Sequence, residues 1–229
     1  MLSLLAVLSI NIAFAQTAEE IAQKHVEAIG GAENWKKINS MVMDATIKAQ
    51  GAEVGVKRTQ VHKKGMRMDI SVMGMNGYQI LTDKEGWSYM PFAGQTKPEP
   101  MTADDVKTSQ DQLSLLDEFI NYKEEGKKLE YLGKDDLEGT ECYKLKMTNK
   151  NGEEVTFWLD ASNYYTLKQM QKTKANGKEV EANTLYSNYK KIPEGVVYPF
   201  SIGGDMGDIE VSKVEINPTI DDAVFKPGK

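Results

Sequence analysis

Side chains equipped for chemistry are few in this chain and lie far apart. His25 and His62 are the candidates for proton transfer or metal binding, yet neither has a partner at a ligand spacing such as His-Glu-x-x-His. Neither lies near a serine in a nucleophile-elbow context. His25 is expected at a helix edge against a sheet, and His62 on the solvent side of a strand. Cys142 is the single cysteine, so it forms no internal disulfide and reads as a small buried hydrophobe within a strand. The acidic pairs Asp104-Asp105, Asp135-Asp136 and Asp221-Asp222 fall at helix starts or turns, where carboxylates serve local hydrogen bonds. Gly203-Gly204-Asp205-Met206-Gly207 joins two strands and opens no helix, so it is not a phosphate loop. Zinc and calcium spacings are missing. No catalytic residue, metal or other cofactor is assigned, although two acids brought together by folding would leave no sequence signature, which keeps a carboxylate hydrolase as a third reading.

The more informative chemistry is apolar. From Met41 to about Phe92 apolar and polar residues alternate, most clearly as Met66, Met68, Ile70 and Val72 against Arg67, Asp69 and Ser71. Only an extended strand separates such a pattern onto two faces. A methionine-rich face is soft and adaptable, because the thioether is flexible and polarisable.

The elements that position this face follow from the same alternation. Thr17 with Glu20 makes a capping box, and Ile21, Ala22, His25, Val26 and Ile29 form one stripe of a helix that Gly30-Gly31 ends. A short turn of helix over Ala32–Ile38 follows. Strands are expected at Met41–Gln50, Val54–Lys64, Met66–Val72, Tyr78–Thr82 and Trp87–Phe92, with a bulge near Lys57, where the apolar phase of the second strand slips. Between about Thr102 and Tyr122 the period turns helical, divided at Thr108-Ser109. Seven further strands are expected from Leu129 to Ile216, joined by turns such as Asn149-Lys150-Asn151-Gly152 and Ala175-Asn176-Gly177.

Ten or eleven of these strands, at about seven residues each, already present roughly 1,100 Å² on one sheet face. Helices of about 12 and about 20 residues shade under about 500 Å² of it. The remaining apolar face must curl upon itself, leave a groove, or enclose a cavity.

The chain has 229 residues and reads as one domain spanning residues 16–229. The preceding residues 1–15 form an uncharged apolar stretch ending Ala13-Phe14-Ala15, which fits a cleaved export signal. It is too short to span a bilayer, about 20 residues being needed, and no later stretch comes close. A soluble periplasmic protein is therefore expected, with no cysteine at the junction to carry a lipid anchor. The net charge of −6, with both signs interspersed, argues against a nucleic-acid partner. The cluster Lys57, Arg58, Lys63, Lys64 and Arg67 reads as a solvated face of strands.

Three segments resemble the LolA-type superfamily of outer-membrane lipoprotein-sorting and lipid-carrier proteins. Val155-Thr156-Phe157-Trp158-Leu159-Asp160, a turn and Tyr165-Thr166-Leu167-Lys168 are similar to its strand-turn-strand hairpin. Val214-Glu215-Ile216-Asn217-Pro218 with Phe225-Lys226-Pro227 resembles its closing strand and tail. Glu27-Ala28-Ile29-Gly30-Gly31 with Trp35, Ile38 and Ser40 looks like the start of related exported domains. The resemblance implies a mainly β (α+β) fold: one strongly curved antiparallel sheet forming an incomplete β-barrel, lidded by helices, whose concave apolar face binds acyl chains. Carrier members use an arginine within the cavity in opening and closing the lid. Here alternation puts Arg67 opposite the apolar face, and neither Arg67 nor Arg58 is assigned that place.

The resulting expectation is a non-enzymatic carrier or sensor of lipid, lipoprotein acyl chains or another hydrophobic ligand. Its proposed contacts are Met41, Met43, Met66, Met68, Ile70, Trp87, Tyr89, Phe157 and Leu159. Envelope lipoproteins or membrane-bound transport proteins are the expected partners, and the protein is expected to be a monomer. The alternative is an envelope protein-interaction module that presents the loops Gln95–Pro100 and Ile202–Asp208 on a curved sheet. The readings differ in prediction: an interaction module has a filled, close-packed core with no groove, a carrier needs a contiguous cavity of several hundred Å³, and a hydrolase would place two or more acids inside that cavity.

Overall fold

The computed structural model describes residues 16–49, 52–175, 178–204 and 207–228. The expected export segment lies outside these residues, as do Gly51 and Asn176-Gly177. No helix among them is long and apolar enough to cross a membrane.

Alternation along the described residues resolves into thirteen strands of one antiparallel sheet that does not close into a barrel. The first six form a meander: β1 (Ser40–Ala49), β2 (Ala52–Val61), β3 (Gly65–Val72), β4 (Met75–Thr82), β5 (Gly86–Tyr89) and β6 (Glu99–Pro100). A second meander comprises β7 (Lys128–Leu137), β8 (Thr140–Thr148), β9 (Glu154–Asp160), β10 (Thr166–Ala175), β11 (Lys178–Lys191), β12 (Val197–Gly204) and β13 (Asp208–Ile216). Pairing of β1 with β13 fuses the meanders, leaving β6 and β7 as the two edges.

Register shows which side chains share a face. Met41, Met43 and Ala45 on β1 stand opposite Gln60, Arg58 and Val56 on β2. Those in turn stand opposite Met66, Met68 and Ile70 on β3. The pairing of β2 runs without interruption on both sides, so the bulge expected near Lys57 is not formed. Thr59 and Val61 point to the outer face, which is also buried: Val61 packs there with Tyr78, Ile80 and Phe225. Two covered faces, not a slipped strand, produce the change of phase.

The concave face is filled from the N-terminus. α1 (Ala18–Ala28) carries the capping box, with Glu20 N–H donating to Thr17 Oγ1 and Thr17 N–H to Glu20. It buries Ile21, Ala22 and His25. At its end Gly30 has φ of 108°, and a Cβ there would lie 2.3 Å from the Gly195 carbonyl oxygen, so only glycine permits this approach. Val197 N–H then donates to the Ile29 carbonyl. α2 (Ala32–Trp35) brings Trp35 into one core cluster with Ile38, Met41 and Met43.

The connection from β6 to β7 crosses the same concave side. It begins with α3 (Ala103–Thr108) and a 3-10 turn over Gln110–Leu113. From Ser114 to Gly126 it proceeds in bends and turns, not in the helix expected to about Tyr122. Its backbone groups are claimed elsewhere. Gln60 Nε2 donates to the carbonyls of Gln112 and Ser114, Leu115 N–H donates to His62 Nδ1, and Phe119 N–H donates to Asp117. The apolar residues of this strap reach separate clusters, Leu113 against Met66 and Leu81, Leu115 against Met41, and Phe119 against Phe157.

Candidate functional site

Between the strap and the concave face lies a cavity of about 260 Å³. β1 and β2 supply Met41, Arg58 and Gln60 to its wall, β9 and β10 supply Phe157, Thr166 and Gln169, and β11 and β12 supply Tyr186, Tyr189 and Tyr198. α1 adds His25 and its C-cap residue Ile29, and residues 114–118 of the strap form the roof. The volume falls below the several hundred Å³ expected, because strap and helix side chains occupy much of the uncovered sheet area.

The proposed contact residues divide among three environments. Met41 and Phe157 line the cavity. Met43 and Leu159 lie on the same face but inside packed clusters, Met43 accepting a 3.9 Å contact from Tyr198 Oη and Leu159 packing under α1 with Leu145. Met66 is buried against Leu81, Val106 and Leu113. Met68 and Ile70 are half-buried further along β3, and Ile70 borders a shallow groove with Val56 and Asp69. Trp87 and Tyr89 need correction. Gly86 and Ser88 stand opposite Leu81 and Gln79 on the concave side, so the intervening residues turn outward. There they pack beneath the C-terminal segment with Tyr78, Ile80, Ile220, Val224 and Phe225.

The cavity has polar groups that the apolar pattern alone did not reveal. Arg58 Nη2 donates to the Gln112 carbonyl at 3.2 Å, while its Nε is buried with no partner among the described residues. This is a cavity arginine tied to the strap, the place that neither arginine was assigned in sequence. The signal was its even-numbered phase with Val54, Val56 and Gln60, which the supposed bulge concealed. Gln60 is fully buried, and its Oε1 also lacks a partner. Tyr186 Oη donates to Gln169 at 2.9 Å and Tyr189 Oη to the Thr166 carbonyl at 2.6 Å. Burial pushes the Tyr186 phenol up to about 12 and raises those of Tyr189 and Tyr198, so all three remain neutral donors. Burial also lowers the Arg58 pKa from its usual value, with Tyr198 opposing the shift.

Two carboxylates, Asp117 and Glu118, reach the cavity from the strap. Asp117 Oδ2 lies 3.3 Å from His25 Nε2, and His25 Nδ1 is 2.7 Å from the Tyr164 carbonyl. His25 is therefore wholly buried between helix, strap and turn, not at the helix edge expected. Burial works against its charge, but Asp117 and the Tyr164 carbonyl outweigh that effect and raise its pKa. Burial likewise disfavours the Asp117 anion, yet His25, the Phe119 N–H and Lys127 bring its pKa below the usual carboxylate value. Glu118 is held 2.8 Å from Lys127. A carboxylate acting as general acid needs a raised pKa, so Asp117 is tuned in the wrong direction for that role. His62, expected in solvent, is half-buried and holds the strap through Leu115 N–H at 3.0 Å. Cys142 is buried, and burial chiefly pushes its thiol up to about 11. Among the described residues no group of three metal-binding side chains is found.

An unclosed antiparallel sheet whose concave face is roofed by an N-terminal helix and a crossing strap defines the LolA-type half-barrel fold. Solved structures with this fold include a DUF1329 family protein from Desulfovibrio piger, 14% identical over 93% of this chain and 98% of that one, with a TM-score of 0.59. A LolA superfamily protein from Nitrosomonas europaea is 16% identical, with the same coverages and a TM-score of 0.58. A putative outer membrane lipoprotein-sorting protein domain from Vibrio parahaemolyticus is 15% identical over 90% of this chain and 95% of that one, with a TM-score of 0.55. No protein-family model matches the chain, and no curated protein matches it in sequence. The likeness is one of fold.

Proposed function

We propose that this protein is a non-enzymatic carrier or sensor of a lipid or similar hydrophobic ligand in the bacterial envelope. The observation that carries this reading is the cavity beneath the strap, where apolar Met41, Ile29 and Phe157 meet buried polar groups that find no partner among the described residues. A packed core satisfies the large majority of its buried polar atoms, whereas a binding site keeps a few convergent ones for its ligand. Trp87 Nε1 under the C-terminal segment stands alone, while Arg58 Nε and Gln60 Oε1 face one cavity. The apolar export segment and the likeness to a lipoprotein-sorting domain support an envelope location. The strap is the natural gate, since side-chain hydrogen bonds and a few buried apolar anchors hold it in place of continuous helix or sheet pairing.

Native mass spectrometry of protein purified from its own envelope, followed by organic extraction, tests the proposal. Stoichiometric lipid supports it. An empty protein that also fails to take up an environment-sensitive fatty-acid probe overturns it.

A further inference from the structure

We infer that the cavity selects a single-chain amphiphile with an anionic head, the head seated against Arg58 and the chain running toward Met41 and Phe157. This inference rests on the reading of the cavity as a ligand site.

Charge is the first argument. Buried charges are normally paired, and a guanidinium with a shielded, unpartnered Nε retains an unmet demand for an acceptor. No carboxylate lies within ion-pair distance of Arg58 among the described residues, and its one hydrogen bond goes to a neutral carbonyl. The two acids of the cavity wall do not meet that demand, because Asp117 faces His25 and Glu118 faces Lys127. An anion on the ligand supplies the missing partner at a planar fork suited to carboxylate or phosphate.

Polarity and size sharpen the choice. Gln60 Oε1 beside Arg58 is an unused acceptor, so the polar end of the cavity offers both a charged donor and an acceptor, as a head group bearing a hydroxyl requires. At about 260 Å³ the cavity falls just short of the ~300 Å³ at which drug-sized ligand sites begin. That is room for one slender chain and excludes a bundle of several.

Calorimetric titration of the full-length protein with dodecanoate, dodecyl phosphate and dodecanol is the test. At least one anion is expected to bind about ten-fold or more tightly than the alcohol, about the least that a hydrogen bond to a charged group is worth. The preferred anion distinguishes a fatty-acid source from a phospholipid-derived one. In Arg58→Gln the preference is expected to vanish, and in Arg58→Lys to return in part. Equal binding of all three by the unaltered protein overturns the head-group assignment while leaving the carrier reading intact, and needs no variant to fold. Persistence of the preference in a folded Arg58→Gln protein overturns the role of Arg58. Failure of all three ligands to bind overturns both readings.

Discussion

At the scale of single residues, the two histidines tie the strap down with opposite responses to pH. His25 is stabilised by protonation, and its pKa is raised above the ordinary 6.5. Its contribution to stability is therefore complete below about 6.5 and is lost as pH rises through the raised folded value. Asp117, depressed below 3.8, contributes above that pH and loses its contribution as pH falls through the lower folded value. The stability difference between the protein and His25→Gln should thus peak between about pH 4 and 6.5. We expect roughly 1–3 kcal/mol there, less than a fully buried pair is worth, because the Asp117 side chain is 24% exposed. Urea unfolding across pH checks this, and a difference that stays flat from pH 4 to 9 would contradict it. His62 behaves in the reverse sense. Its Nδ1 must be unprotonated to accept the Leu115 N–H, and burial, reinforced by Lys63, holds its pKa down against Glu125. The His62 tie is present above 6.5 and is lost as pH falls through the depressed value. The protection factor of the Leu115 amide, its rate relative to the unstructured chain at the same pH, should accordingly fall on acidification, while the Phe119 amide, bonded to Asp117, keeps its protection until lower pH.

At the scale of elements, the tail over the outer face matters as much as the lid over the inner one. The 3-10 turn Asp222–Phe225 seats Phe225 on Gly65, whose missing side chain makes the space: a Cβ there would lie 2.9 Å from the ring. Lys64 pairs with Asp222, Arg67 donates to the Val224 carbonyl, and Gly228 N–H donates to Tyr78. Phe225→Ala should cost about 3–5 kcal/mol and red-shift tryptophan emission as Trp87 becomes wet. Thermal unfolding followed by fluorescence reads both, and an unchanged Tm would show that the tail is dispensable. This covered outer face also explains which features could be read in sequence. Alternation revealed the strands and the capping box revealed α1. The excess of strands over helices allowed a sheet that closes, leaves a groove or encloses a cavity, and of these the family resemblance implied the unclosed one. Trp87 and Tyr89 were misplaced because an aromatic on either face of a doubly covered strand looks the same in one dimension. Arg58 was obscured for a related reason, since the phase of β2 serves two cores at once. The strap read as helix because Leu113, Leu116 and Ile120 keep helical spacing, although Gln60 and His62, distant in sequence, capture the backbone groups a helix would need.

At the scale of the whole molecule, the stability of the parts is uneven in a way that suits loading and release. Both meanders are held by strand pairing, thinnest at the two residue pairs between β12 and β13, and the β1–β13 seam joins them over eight residue pairs. The strap instead touches three separate core clusters, without a regular ladder of its own. Elements of this kind open at lower free energy than the sheet beneath them. A ligand that fills the cavity binds only the closed form, so it must stabilise strap and fold together by mass action. At a free ligand concentration of about 100 times Kd the gain is about 2.7 kcal/mol. Hydrogen exchange with and without dodecanoate distinguishes this gate from a ligand adsorbed on the surface. Protection should rise over residues 113–122 and at Val197, whose amide anchors the end of α1, while the outer hairpin Lys128–Thr148 keeps its unliganded rates. Gln60→Ala removes the donor to Gln112 and Ser114 and the Oε1 acceptor at the head group, and should speed ligand release about ten-fold and lower amide protection of the strap in the unliganded protein, where no ligand contact is at stake. If release is unchanged in that variant, the strap is not the gate, and the ligand enters by another opening of the sheet.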